Sequence, residues 1–142
     1  MILFNKLWIW WAERPRKILA RVKDFFSFKT AQIYLIAIGL LLAGSLVLAW
    51  LIYSRTPADH LVIMHYNTLF GIDWIAPRGT VFWLPVAAWS LTAANLLIGL
   101  LIGSRQDNFI KHLLLAGTAL IDIFILLATY SVFLINFINL AK

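Results

Sequence analysis

Asp122 is the side chain whose surroundings most demand a chemical explanation. It is the single charged residue in the 29-residue stretch 113–141. A carboxylate at the centre of a bilayer costs about 2.5–3.5 kcal/mol on insertion scales, so such a group either carries a proton or cation or is held by hydrogen bonds. On a helical wheel, Thr118, Thr129 and Asn136 fall within about 40° of it. The stretch before it, 79–104, places Ala88, Thr92, Asn95, Gly99 and Gly103 on one face, and Gly99-x-x-x-Gly103 is a close-approach spacing that Gly39 and Ala43 repeat earlier in the chain. Asn95 lies nine residues before Ser104 and Asp122 ten after His112, which puts both roughly 14–15 Å from the same membrane edge. The expected arrangement is a hydrogen bond from Asp122 to Asn95 or Thr92 that locks an antiparallel helix pair. The alternative is a proton or cation site, for which no arginine, lysine or histidine stands at the same depth.

A second group with chemical capacity lies in the segment 55–79: His60, His65 and Asp73, with Asp59 and Asn67 nearby. Imidazole and carboxylate suit zinc and similar ions, and such a trio would suit an outward-facing metal-dependent enzyme. The spacing His60-x4-His65 matches no recognised ligand motif, so the plainer expectation is a compact re-entrant or interfacial cap. In it His65, Tyr66, Asn67 and Asp73 hydrogen-bond their own backbone, with Gly71 and Pro77 as punctuation. No metal or other cofactor is expected.

These side chains need elements to position them, and the composition says which. Of 142 residues, 63% are hydrophobic and 13% charged, against about 45–50% and 25% for soluble domains. A soluble globule is excluded, and with no cysteine so are disulfides and thiolate metal sites. Charge-free runs of 25 and 26 residues cover 30–54 and 79–104, and 113–141 carries Asp122 alone. All exceed the roughly 18 residues of a spanning segment, and in lipid each must satisfy its own backbone as a helix. The expected fold class is therefore all-α and integral to a membrane: an arm 1–29, a span 30–54, an outward loop 55–79, a span 80–104, a cytoplasmic loop 105–111 and a span 112–141. The first run is too long for a signal-peptide core, and Pro85 sits near the start of the second, where its missing N–H does least harm.

Nine of the twelve lysines and arginines lie in the arm and the second loop, and three in the first loop and the tail. The positive-inside rule then puts the N-terminus in the cytoplasm and the C-terminus outside, with Trp50, Trp74 and Trp83 near the outer interface. In the arm, Ile18, Leu19, Val22, Phe25 and Phe26 make one helical face, and Leu3, Phe4, Leu7, Trp8 and Trp11 a second apolar stripe. With Arg14, Arg16, Lys17, Arg21 and Lys23 around them, and Pro15 fit to open the helix, this reads as a basic amphipathic helix lying in plane on anionic headgroups. Basic residues among aromatics also suit nucleic acid, but no folded nucleic-acid module is present, so none is expected as partner.

The stretch 65–73, HYNTLFGID, resembles the HYN-x-x-FGID segment placed just outside the first span of small, uncharacterised three-helix bacterial membrane proteins. His65, Tyr66, Asn67, Phe70, Gly71, Ile72 and Asp73 carry the likeness. The resemblance implies a bacterial plasma-membrane protein and brings no activity, cofactor or partner. The chain shows no P-loop, no Ser/His/Asp order, no H-E-x-x-H and no dinucleotide fingerprint. The expectation is a non-enzymatic scaffold or accessory subunit, assembling with itself or with a larger membrane partner. An oligomeric proton- or cation-conducting protein using Asp122 and the metal-dependent enzyme are the alternatives.

Overall fold

The computed structural model describes residues 29–67, 71–102 and 108–140, together with Leu19, Ala20, Val22, Lys23, Phe25 and Leu69. The order of elements is helix α1 (Lys29–Arg55), strands β1 (Leu61–Asn67) and β2 (Gly71–Pro77), a 3-10 turn (Arg78–Phe82), helix α2 (Trp83–Ile102) and helix α3 (Asn108–Leu140). The three helices are each long and apolar enough to cross a membrane, and only 22–28% of their most apolar stretches is buried within the molecule. The other side chains, among them Ile33, Leu40, Leu97 and Phe124, face outwards. An apolar exterior of this extent matches a hydrocarbon surrounding, where no water competes for the backbone.

Helix α3 is the centre of the bundle, packing along both α1 and α2, which touch each other less. Gly44 permits the α1–α3 approach: a Cβ built there would stand 3.3 Å from a methyl of Leu126. Helix α1 stops where Thr56 turns both its amide (3.0 Å) and its hydroxyl (2.8 Å) onto the Ile52 carbonyl, and Pro57 follows, which disfavours further helix. Pro85, the third residue of α2, lies in the first turn, where backbone donors have no intrahelical partner anyway.

The expectation of an all-α chain needs correction. The segment expected to form a compact re-entrant or interfacial cap contains an antiparallel hairpin with Leu61 opposite Pro77, Val62 opposite Ala76 and Ile63 opposite Ile75. Its physical cause lies in two seven-residue stretches rich in branched and aromatic residues, which suit a half-buried pleat, joined through Gly71 at φ +79°, a conformation that favours glycine. The sheet is not regular. Two residues of β1 advance against one of β2 between Ile63 and His65, and two of β2 against one of β1 between His65 and Tyr66. Met64 and Asp73 are the extra residues, one bulge on each strand. Val62, Met64 and Ala76 close over Ala49, Ile52, Val81 and Val132 of the helices and the 3-10 turn.

Two side chains fasten this hairpin. Asn136 of α3 accepts from the Ile63 amide (2.9 Å) and donates to the Ile63 carbonyl (2.9 Å) and to Val132 of its own helix (2.7 Å). The two main-chain groups of one strand residue point to the same side, so the Asn136 amide replaces a third strand along the outer edge of β1. Arg78 donates to the Thr56 carbonyl (3.0 Å) at the C-terminal end of α1, where the helix dipole favours a cation. Its guanidinium also lies 4.4 Å from the centre of the Tyr53 ring.

Helix ends differ from the expected spans. The second begins at Trp83, because Arg78–Phe82 winds as a 3-10 turn. The third begins at Asn108 rather than at 112, and so takes in Lys111. A single lysine limits insertion rather than helix formation, and the side chain of Lys111 is mostly covered by the bundle. Arg14, Arg16, Lys17, Arg21 and the two apolar stripes of the arm lie outside the described residues apart from Leu19, Val22, Lys23 and Phe25.

Replacing Asn136 by leucine strands the Ile63 amide and carbonyl. A buried group left without a partner costs about 1–3 kcal/mol. Asn136→Leu should lower the thermal unfolding midpoint in detergent and open the hairpin to limited proteolysis, while Ser131→Ala, one turn away and exposed, should do neither. Equal protease resistance of Asn136→Leu and the native chain would contradict this role.

Candidate functional site

The buried polar residues form a seam along α3. Thr118, Asp122, Thr129 and Asn136 recur at four and seven residues, and all four are buried. Helix α2 faces them with Thr92 and Asn95. The Thr92 hydroxyl donates to Asp122, its oxygen standing 3.0 Å from Oδ2 and 3.3 Å from Oδ1. One hydroxyl hydrogen thus serves a carboxyl group that is 2% exposed. Asn95 does not reach Asp122: its amide donates to Thr118 Oγ1 at 3.0 Å, and Thr118 in turn donates to the Leu114 carbonyl at 2.8 Å. Thr129 is satisfied within its own helix by the Ile125 carbonyl at 2.8 Å. Of the two expected partners, then, Thr92 meets Asp122, and Asn95 makes a separate contact one turn away.

Every fully buried polar side-chain atom among the described residues has a hydrogen-bond partner, and Asp122 makes no ion pair among them. The seam therefore holds α2 and α3 together through two neutral donors, Thr92 and Asn95. In an apolar surrounding each unmade bond would leave a polar group exposed to hydrocarbon, which is what gives two ordinary contacts their weight.

The small residues are placed differently from the expected helix-on-helix pattern. Gly39 and Ala43 face outwards, and a Cβ on Gly39 would meet nothing within 4 Å. Gly99 does make a close approach, but to the arm. A Cβ there would stand 3.1 Å from the ring of Phe25 and 3.7 Å from Leu114. Phe25 is 3% exposed and packs with Ala31, Ile38, Leu42, Ala88 and Leu115. Among the described residues of the arm, Phe25 is buried with its ring against the bundle. Gly103 lies outside the described residues.

At the opposite end the 65–73 motif occupies the last part of β1, the turn and the first part of β2. The two bulges bring His65 and Asp73 together: Nδ1 of His65 stands 2.6 Å from Oδ1 of Asp73. An ionised carboxylate only accepts, so the ring nitrogen facing it carries the proton. Asn67 pairs with Gly71 across the turn, and Tyr66 is exposed. His60 belongs to a different pair, 3.1 Å from Asp59, whose carboxyl is held below the usual carboxylate range chiefly by that hydrogen bond. The trio His60, His65 and Asp73 is therefore not gathered, and among the described residues no group of three potential metal ligands occurs.

Three roles are not evident from sequence: Arg78 on the Thr56 carbonyl, Phe25 packed against Gly99, and Asn136 as a strand partner. The signal for Asn136 was its position, seven residues past Thr129 and fourteen past Asp122. Comparison with known proteins finds no matching protein-family model, no matching curated protein and no matching solved structure.

The Thr92–Asp122 contact is open to a double-mutant cycle. Thr92→Val and Asp122→Leu should each lower stability in detergent by about 0.6–2 kcal/mol, the range for interhelical polar contacts in membranes. The double variant should lose less than the two losses combined, because both remove the same bond. Asp122→Asn keeps an acceptor for Thr92 and should stay near the native midpoint. Strict additivity would show that the two side chains do not interact.

Proposed function

We propose that this chain is a multi-pass protein of a bacterial plasma membrane, with its N-terminus in the cytoplasm and its C-terminus outside. In this reading it acts as a non-enzymatic scaffold or accessory subunit, alone in several copies or with a larger membrane partner. The observation that carries the reading is how the polar groups are used. Thr92, Asn95, Thr118, Asp122 and Asn136 bond to one another or to backbone within the chain, while apolar side chains cover the outside of all three helices. Such a layout suits a body that inserts and assembles. The basic arm, with Lys23 exposed beside the buried Phe25, suits contact with anionic headgroups on the cytoplasmic face. The hairpin then lies on the outer side, with Trp74 and Trp83 exposed at interface level.

One observation favours a second reading, proton or cation conduction by an oligomer. Asp122 is a buried acid at mid-helix with a single hydroxyl donor and no cation beside it among the described residues, and intramembrane acids often mark ion pathways.

Two measurements separate these readings. A reporter active only in the cytoplasm should work when fused before Met1 and stay silent after Lys142; activity at the C-terminus would overturn the orientation. Purified protein in liposomes should pass protons no faster than empty liposomes, and cross-linking in native membranes should give discrete adducts. Proton flux that vanishes in Asp122→Asn would replace the accessory reading with the conducting one.

A further inference from the structure

Beneath the hairpin, where it overhangs α2 and α3, lies a cavity of about 430 Å³. That is within the range of about 300–1,000 Å³ typical of small-molecule sites. Its floor is one face of α3, formed by Ala128, Ser131, Val132 and Ile135, positions i, i+3, i+4 and i+7 that span about 10 Å of helix. Leu84, Met64 and Trp74 close the sides, and His65 stands in the wall. The lining is apolar along the helix face and polar at His65, Tyr66 and Ser131.

Two features single out the His65 end. The hairpin carries a bulge on each strand at this point, Met64 on β1 and Asp73 on β2. Bulges re-aim side chains and recur beside functional sites. Here the extra residue Met64 joins the cavity lining while His65 takes its place beside Asp73. Asp73 engages Nδ1, which fixes the ring and leaves Nε2 as the atom available to a ligand. Ser131, by contrast, donates to the Leu127 carbonyl of its own helix at 2.9 Å. Its hydroxyl proton is turned back onto its own helix rather than towards His65, so the arrangement favours binding over hydrolysis.

We propose that this cavity binds a single-chain carboxylic acid, a free fatty acid, with its alkyl chain along the Ala128–Ser131–Ile135 face of α3 and its carboxyl group on Nε2 of His65. A carboxyl group and an imidazole share one proton in either direction: the acid donates to a neutral Nε2, and the carboxylate accepts from Nε2–H. An alcohol of the same chain length can make either hydrogen bond, but only the carboxylate adds charge attraction to a protonated ring.

The probe is a diazirine-bearing palmitic acid added to the full chain in nanodiscs, with peptide mapping after irradiation. The fatty-acid site predicts saturable labelling of 128–135 and 64–66 that excess unlabelled palmitate removes, above a non-saturable background on outward helix faces. Ala128→Trp, which fills the floor, should remove the saturable part at least tenfold. His65→Ala, at an exposed hairpin position, should weaken the apparent affinity for the acid about tenfold, the scale of one hydrogen bond to a charged group. It should weaken binding of a hexadecanol analogue less, because the alcohol loses only a neutral hydrogen bond. Labelling that never saturates, or that is indifferent to Ala128→Trp, would overturn the site. Equal binding of acid and alcohol, or undiminished acid binding by His65→Ala, would overturn the assigned headgroup.

Discussion

A strand edge laid against an apolar helix has no water to turn to, and the amide of Asn136 is what meets it. One side chain accepts from the Ile63 amide and donates to its carbonyl, doing on a helix what a neighbouring strand does in a sheet. A two-stranded hairpin is marginal by itself, so its position over the bundle depends on this contact, on the Arg78 bond to Thr56 and on the small apolar cluster around Val62 and Val81. The cavity under the hairpin depends on it in turn, because it exists only while β1 stays against α3.

The same rule, that a polar group away from water must find its partner inside the chain, organises the rest of the bundle. Helix α3 carries four buried polar side chains on one stripe. The inner two, Thr118 and Asp122, face α2, and the outer one, Asn136, faces the hairpin. Apolar packing between helices cannot choose a register strongly when the surrounding lipid is equally apolar. Thr92 on Asp122 and Asn95 on Thr118 offer a discrete alignment of α2 on α3, and Asn136 on Ile63 does so for the hairpin. The stripe thus sets the alignment of the chain, while the close contact of Gly44 with Leu126 and of Gly99 with Phe25 sets the distances.

The helices were legible from sequence because 25 or more residues with at most one charge are a strong, long signal, and their interiors are where the structure puts them. Their ends were less so. Lys111 was taken as a boundary because it is charged, yet helix formation and membrane insertion respond to a lysine differently. Asp122 was legible as a residue needing partners, since its cost does not depend on context, but the choice of Thr92 over Asn95 turns on side-chain reach and rotation that a wheel does not resolve. The hairpin was obscured by its own irregularity. Two bulges break the alternation that marks a strand, and the apolar residues on its outer face mask which side is buried. Phe25 was read as part of a membrane-facing stripe, because nothing in the spacing of the arm says that Gly99, more than seventy residues away, leaves a space for its ring.

The claim that Asn136 closes the edge of β1 can be measured directly. In the isotope-labelled chain in a membrane mimetic, NMR detects a scalar coupling across a hydrogen bond between the Ile63 amide nitrogen and the Asn136 side-chain carbonyl carbon, and amide exchange reports its protection. The structure predicts that this coupling is present and that the Ile63 amide exchanges far more slowly than outward-pointing amides on the open edge of β2. No coupling, with Ile63 exchanging as fast as that open edge, would contradict it.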